Sequence, residues 1–289
     1  MKRNARMQTV LGWVLGTIMA VAFTATAQAS PDRSGGFSEE FHQTYPLSAT
    51  GSLQLKNISG HVQISAWDRN EVKVDAVKWA GTKERLDEAK IVVEPSADRI
   101  AIRTEYPHED LTFNSDSRDN PASVDYTITL PRSARIDEVK LVNGNLTIDG
   151  IAGEVHASCV NGRLKATGLG SASRLSDVNG TLEAAFAQLP SGTLELHDVN
   201  GRLSLTLPSD VQATVKANTV NGSITNNFDL PVQKGRHVGS RLEGQLGNGG
   251  TEVSLHNVNG RIEILHADDG RPVSPATNLL PDNSEEAKF

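Results

Sequence analysis

Hydrophobic and polar residues alternate in a pattern that repeats six times around one short motif, Val-Asn-Gly-x-Leu or Val-Asn-Gly-x-Ile. Successive copies are 18, 18, 21, 21 and 38 residues apart, and the last spacing is close to two periods. A fixed period of about 20 residues is typical of a stacked repeat array. The six Asn-Gly pairs are Asn143-Gly144, Asn161-Gly162, Asn179-Gly180, Asn200-Gly201, Asn221-Gly222 and Asn259-Gly260.

The residues around each pair follow a two-residue period. With the asparagine as position 0, position −1 is always Val, position +3 is always Leu or Ile, and position −4 is apolar in every copy. Charged and small polar residues lie between them. This alternation predicts a β-strand on each side of the Asn-Gly pair. The pair itself predicts a bend, because Asn and Gly tolerate positive φ.

Two folds use such a bend. In a β-hairpin, Asn-Gly forms a type I′ turn between antiparallel strands. In a parallel β-helix it forms a corner, and each strand pairs with its counterpart one coil away. Position −2 is mostly polar whereas position −1 never varies, which favours a corner with Val inward and position −2 outward. We therefore predict an all-β, single-stranded, right-handed parallel β-helix (solenoid) with coils of 18 to 21 residues, and keep the hairpin as the alternative.

In this fold the aliphatic positions stack into one core and the asparagines form a hydrogen-bonded ladder. Degenerate copies extend the array: Ser59-Gly60 takes the corner upstream, and Ile91–Ile102 and Val238–Leu242 match in part. A short helix is predicted over Thr82–Lys90, with Thr82 as its N-cap. The predicted organisation is a signal peptide over 1–29, an N-terminal lead-in over 30–49, one β-helix domain over 50–267 and a disordered tail over 268–289.

The N-terminal segment has the composition of a cleaved secretory signal. Lys2, Arg3 and Arg6 precede an apolar stretch over 10–23, and Ala27-Gln28-Ala29 is a small-x-small cleavage site. The apolar stretch is shorter than the roughly 20 residues that a membrane span needs. We therefore expect an exported protein, periplasmic or extracellular, with no membrane span after signal cleavage; an uncleaved anchor is the alternative.

Charge excludes one class of partner. Removing residues 1–29 takes away three positive charges, so the net charge changes from −7 to −7 − 3 = −10. An acidic chain without basic clusters is a poor ligand for nucleic acid, so we expect no nucleic-acid partner.

Asp177 and Asp198 are the sharpest candidates for chemistry. They share position −2 in adjacent copies. Two outward carboxylates at this spacing could act as the paired catalytic carboxyl groups of a polysaccharide-cleaving enzyme. The alternative is a solvated corner, which we favour because no basic residue recurs at that position. His197 and His256 share position −3, but their order along the chain predicts coils about three apart, too far for one metal ion. We therefore expect no catalytic residues, no metal and no cofactor, and interpret the single Cys159 as a residue of the repeat.

Together, the Val-Asn-Gly-x-[Leu/Ile] units, the first unit Ile58-Ser59-Gly60-x-Val62-x-Ile64 and the segment Val124–Pro131 resemble the bacterial "putative adhesin" β-helix family of exported envelope proteins. The resemblance covers residues 50 to 265. It implies a non-catalytic module of the cell envelope that adheres to or binds an unidentified envelope polymer or protein, and it transfers no catalytic residues. Two alternatives stay open: the polysaccharide-cleaving enzyme using Asp177 and Asp198, and an accessory factor in the envelope-stress response.

Overall fold

The computed structural model describes residues 36–107, 120–189, 191–235 and 238–280. The predicted signal over 1–29 and the end of the predicted tail, from residue 281 onward, lie outside these residues. The described chain is all-β, with sixteen strands in one large open sheet and one short helix.

The elements have the following bounds: β1 Phe37–Pro46, β2 Ser52–Ser59, β3 Val62–Trp67, β4 Glu71–Ala80, α1 Lys83–Glu88, β5 Lys90–Pro95, β6 Arg99–Glu105, β7 Ser123–Pro131, β8 Arg135–Asp149, β9 Val155–Thr167, β10 Ser171–Ala185, β11 Ser191–Leu207, β12 Ala213–Asn226, β13 Gln233–Lys234, β14 Ser240–Leu246, β15 Thr251–His266 and β16 Ala276–Asn278. The six repeats are the long strands β8, β9, β10, β11, β12 and β15, each of which runs through its Asn-Gly pair.

The repeat strands lie side by side and pair in parallel, with every Asn opposite an Asn and every Gly opposite a Gly. Their order in space is β8-β9-β10-β11-β15-β12, so the sixth copy lies between the fourth and the fifth. The chain leaves β12, forms β14 antiparallel to the free side of β12, and returns as β15 on the other side. The degenerate copy predicted over Val238–Leu242 is therefore wrong, because Ser240, Arg241 and Leu242 belong to the antiparallel strand β14.

The hairpin alternative is also wrong. A type I′ turn requires positive φ at both central residues and antiparallel flanking strands. Here the flanking strands pair in parallel with their neighbours, and Asp229 is the one non-glycine residue with positive φ among those described. Five of the six repeat glycines have positive φ, between 142° at Gly144 and 159° at Gly180, whereas none of the repeat asparagines does.

At the bend, the inward and outward positions are the reverse of those predicted. The side chains at position −2 are buried, whereas Val142, Val199 and Val220 at position −1 are 36–46% exposed. Positions −2 and +3 both point inward, and the four residues between them pass around the outside of the bend. Alternation along the strand thus continues inward to position −2 and resumes at position +3. The prediction that Val faces the core and position −2 faces solvent is wrong.

The N-terminal strands join the same stack. Ser59 lies opposite Asn143, and Val62 and Ile64 in β3 lie opposite Leu146 and Ile148 in β8. The outer part is antiparallel: β1 pairs with β4, β4 with β7, and β5 with β6. The degenerate corner predicted over Ile91–Ile102 is therefore wrong, because β5 and β6 form an antiparallel pair.

Two short elements lie at the periphery. α1 begins after Thr82, whose hydroxyl accepts a hydrogen bond from the backbone N–H of Arg85, so the predicted N-cap is confirmed. Within the predicted disordered tail, β16 pairs antiparallel with β14, and the Ser274 hydroxyl donates to the carbonyl of Val211. The tail prediction is wrong for these residues, because the open edge of β14 supplies backbone partners that composition alone does not reveal.

Candidate functional site: an exposed corner and a buried polar column

The repeat asparagines form a continuous ladder along the outside of the bend. Each side-chain amide donates from Nδ2 to the Oδ1 of its neighbour, over 2.8 to 3.0 Å. The pairs in spatial order are Asn161 to Asn143, Asn179 to Asn161, Asn200 to Asn179, Asn259 to Asn200 and Asn221 to Asn259. An amide has two N–H donors and two acceptor lone pairs, so each rung keeps hydrogen-bonding capacity on its exposed side.

The glycines beside this ladder form a strip of bare backbone. A Cβ placed on Gly162 would overlap the carbonyl oxygen of Gly144, and the same overlap occurs from Gly180 to Gly162 and from Gly201 to Gly180. The direction that a side chain would take therefore points along the stack, into the neighbouring strand. Only glycine fits, because the strands could not otherwise approach to the spacing of about 4.8 Å that their hydrogen bonds require.

Two rows of side chains flank the asparagines and glycines. On one side lie the valines of position −1, which are exposed or half-buried. On the other side lie the residues of position +2, among which Arg163, Arg202 and Arg261 are exposed. We call positions −1 to +2 of the six repeats the corner surface. Across six strands it measures about 24 Å, since neighbouring strands are roughly 4.8 Å apart.

A polar column runs through the core directly beneath this surface. It consists of position −2 residues, all six of which are aligned; Leu141 is at one end, and the other five follow in the order Cys159, Asp177, Asp198, Asn257 and Thr219. Each is at most 6% exposed. The Asn257 amide donates to Asp198 Oδ2 over 2.6 Å. The buried oxygens without a hydrogen-bond partner among the described residues all belong to this column: Asp177 Oδ1 and Oδ2, Asp198 Oδ1, Asn257 Oδ1 and Thr219 Oγ1.

Burial changes the acid–base properties of the column. It raises the pKa of Asp177 to about 6. It also raises the pKa of Asp198 to about 7, with a further contribution from the nearby charge of Asp177. The pKa of the Cys159 thiol rises to about 12 for the same two reasons, burial first and the Asp177 charge second. All three shifts favour the neutral form.

This geometry is incompatible with Asp177 and Asp198 as the catalytic carboxylates of an enzyme. Asp177 and Asp198 do lie on adjacent strands, as the sequence predicts, but each is 1% exposed and points into the core. A glycosidase needs its two carboxyls on either side of the scissile bond, in contact with substrate. The prediction that these carboxylates face solvent is wrong, and with it their use on a polysaccharide.

The histidines are closer together than their positions in the chain suggest. His197 and His256 lie on adjacent strands with ring centroids 6.1 Å apart, because β15 pairs with β11. The predicted separation of about three coils is wrong. Partial burial lowers the pKa of His197. Among the described residues, no group of three or more His, Cys, Asp or Glu side chains is arranged to hold a metal ion.

The sequence matches the model of a known protein family. A family model described as Toastrack DUF4097 matches residues 48–265. The chain belongs to this family. No curated protein sequence matches the chain. Among the described residues, no helix has both the length and the apolar character needed to span a bilayer.

Solved structures with a similar course of the chain have low sequence identity to it. One is a "putative cell adhesion protein" from Clostridium sporogenes, with 15% identity and a TM-score of 0.48, covering 79% of this chain and 100% of that one. A "putative adhesin" from Bacteroides fragilis has 9% identity and a TM-score of 0.29, covering 81% and 98%. A "Putative lipid binding protein" from Parabacteroides distasonis has 9% identity and a TM-score of 0.27, covering 79% and 97%.

The alternation of residues does not predict two parts of the candidate site. These are the place of Asn257 and Thr219 in a buried column, and the row formed by the arginines of position +2. The signal for the column was available: position −2 is Cys, Asp, Thr or Asn in five of six copies, yet it lies in phase with the inward positions −4 and −6.

Proposed function

We propose that this Toastrack chain is an exported, non-catalytic module of the cell envelope, periplasmic or extracellular, that binds an extended envelope polymer along the corner surface. The proposal includes cleavage of residues 1–29, one domain over 50–267, and right-handed winding of a parallel β-helix. The supporting observation is that valines, hydrogen-bonding amides and bare glycine backbone recur in register across six strands, with an exposed arginine beside them in three of the six.

A repeating surface is suited to a repeating ligand. The asparagine amides offer donors and acceptors about every 4.8 Å, and the valines beside them offer apolar contact to the carbon faces of a sugar ring. Arg202 and Arg261 lie on neighbouring strands and offer charged donors to carboxylate or phosphate groups. Many weak contacts in register add up to useful affinity without a deep pocket.

The test is co-sedimentation of the mature chain with insoluble polysaccharide and peptidoglycan prepared from the envelope of the source cell. The double variant Arg202→Ala/Arg261→Ala removes two charges from the corner surface, and we expect about tenfold weaker binding, which corresponds to about 1.4 kcal/mol. The matched control is Arg174→Ala/Arg241→Ala, two exposed arginines that lie away from the corner surface.

Equal binding by both double variants would contradict the proposed surface. Cross-linking of the wild-type chain in intact cells to one specific protein, with no polymer retained, would show that the partner is a protein instead.

A further inference from the structure

Two residues of position −2 donate a hydrogen bond to the carbonyl of the repeat glycine in the preceding strand of the stack, and Ser240 makes a similar bond at the end of the column. Cys159 Sγ donates to the Gly144 carbonyl over 3.5 Å. Asn257 Nδ2 lies 3.4 Å from the Gly201 carbonyl. Ser240, which pairs with Thr219 at the end of the column, donates to the Gly222 carbonyl over 3.4 Å. Each of these three side chains is a hydrogen-bond donor, whereas the Thr219 hydroxyl has no partner among the described residues.

Asp177 and Asp198 occupy the same position but are donors only when protonated, because an ionised carboxylate accepts hydrogen bonds and cannot give one. By the register of the stack, the glycine carbonyls at the equivalent place are those of Gly162 and Gly180. Asp177 lies beside these glycines, as Thr219 lies beside Gly222. Asp177 Oδ2 lies 2.8 Å from the point that a Cβ on Gly180 would occupy, and the Gly162 carbonyl oxygen is adjacent to the same point.

We propose that Asp177 and Asp198 are neutral carboxylic acids in the folded protein, each aimed at the glycine carbonyl of the preceding strand, and that their ionisation loosens the corner of the stack. The two residues form a pH-sensitive device at the centre of the repeat array. In this arrangement Asp198 Oδ2 accepts from Asn257, and Oδ1, which has no partner among the described residues, is the oxygen that carries the proton.

Among the described residues of the neighbouring strands, no charged group faces the pair from the core side. The inward residues at positions −4, +3 and +5 of β9, β10, β11 and β15 are all Ala, Leu or Ile. Cys159 is the one other titratable side chain in the column, and its raised pKa keeps it neutral. His197, Arg163 and Arg202 are exposed on the outer side of the strands. Two carboxylates here would repel one another across about 4.8 Å without a cation to offset the repulsion.

The raised pKa values of the two aspartates agree with this arrangement, since burial and mutual repulsion both favour the protonated form. An isolated buried carboxylate is avoided in proteins in just this way, by taking up a proton.

The direct test is infrared spectroscopy of the mature chain, using the carbonyl stretch that a protonated carboxyl shows and a carboxylate lacks. At about pH 5.5 exposed aspartates are almost fully ionised, so a protonated-carboxyl band reports shifted groups. We expect a band at this pH that disappears near pH 9 and is absent from Asp177→Asn/Asp198→Asn. The control Asp68→Asn/Asp268→Asn, which changes two exposed acids, should keep it.

The double variant is expected to fold, because Asn257 shows that asparagine fits the position, and circular dichroism checks this. A band at pH 5.5 that survives in the folded double variant would overturn the proposal, and so would the absence of any band in the wild type. A calcium-dependent rise in the unfolding midpoint of the wild type at pH 8, missing from the double variant, would also overturn it, because the column would then hold a cation between carboxylates.

Discussion

The double substitution Asp177→Asn/Asp198→Asn should remove most of the pH dependence of stability between about pH 4.5 and pH 8.5. In the wild type both aspartates have a pKa above the ordinary value of 3.8, about 6 for Asp177 and about 7 for Asp198. The folded protein therefore binds these protons more tightly than the unfolded chain does. The stability they contribute is fully present below pH 3.8 and is lost as the pH rises through 6 and 7.

The size of the loss follows from the same values. At about 1.4 kcal/mol for each pKa unit, ionising Asp177 costs about 3 kcal/mol and ionising Asp198 about 4 kcal/mol. Local opening of the corner would admit water to the carboxylates and limit the total, so we expect the free energy of unfolding to fall by roughly 4 kcal/mol for the pair. The asparagine variant has no proton to lose and donates to the glycine carbonyl at every pH.

Urea unfolding followed by circular dichroism at a series of pH values measures this difference. The variant should be more stable than the wild type at about pH 8.5, and its unfolding midpoint should be nearly constant where that of the wild type falls. Surface groups such as His42, whose pKa is raised by its hydrogen bond to Asp75, titrate equally in both proteins, so the difference isolates the column. A wild type whose stability is constant or rises from about pH 4.5 to 8.5 would refute the reasoning. A variant that keeps the wild-type slope would refute it as well.

Three further substitutions and reactions test other parts of the structure. Gly180→Ala should destabilise the fold by at least about 3 kcal/mol, measured by thermal unfolding, because its Cβ overlaps the backbone of Gly162; an unchanged melting temperature would contradict the glycine strip. In the folded protein the thiol of Cys159 should react with an aromatic disulfide reagent roughly 1000-fold more slowly than a free thiol, because its pKa is about 12. Unfolding in urea should remove this protection. Fast reaction of the folded protein would show that the column is open to solvent. Lys78→Met should lower the free energy of unfolding, measured in urea, by about 2 kcal/mol. The reason is that the buried ammonium contacts Glu39 at 2.8 Å and donates to two carbonyls at the end of α1. A change below about 0.5 kcal/mol would show that these groups find other partners.

Local features of the sequence determine much of the architecture. The spacing of Val-Asn-Gly determines which residues align across strands, since the same backbone shape recurs at every glycine. Position +3 is buried in every copy because it is always Leu or Ile and resumes the inward alternation after the bend. Thr82 marks the start of α1 because its hydroxyl is a good N-cap.

Other features depended on contacts between distant segments. Nothing local places β15 between β11 and β12, because all three strands carry the same motif and any order would align their columns. The proximity of His197 and His256 follows from that order. The pairing of β16 with β14 likewise depends on an open sheet edge that forms only in the folded chain.

The same distinction between local sequence and tertiary contacts applies to the candidate site. The sequence by itself determined that Asn, Gly and the position −2 residues form aligned columns, because a repeat repeats its side chains. Only the tertiary structure decided which column is buried: Asp177 and Asp198 point inward and Val199 outward because the bend begins after position −2, where stacked glycines let neighbouring backbones make contact. A two-residue alternation sets the faces within one strand, but it carries no information on where a bend shifts its phase.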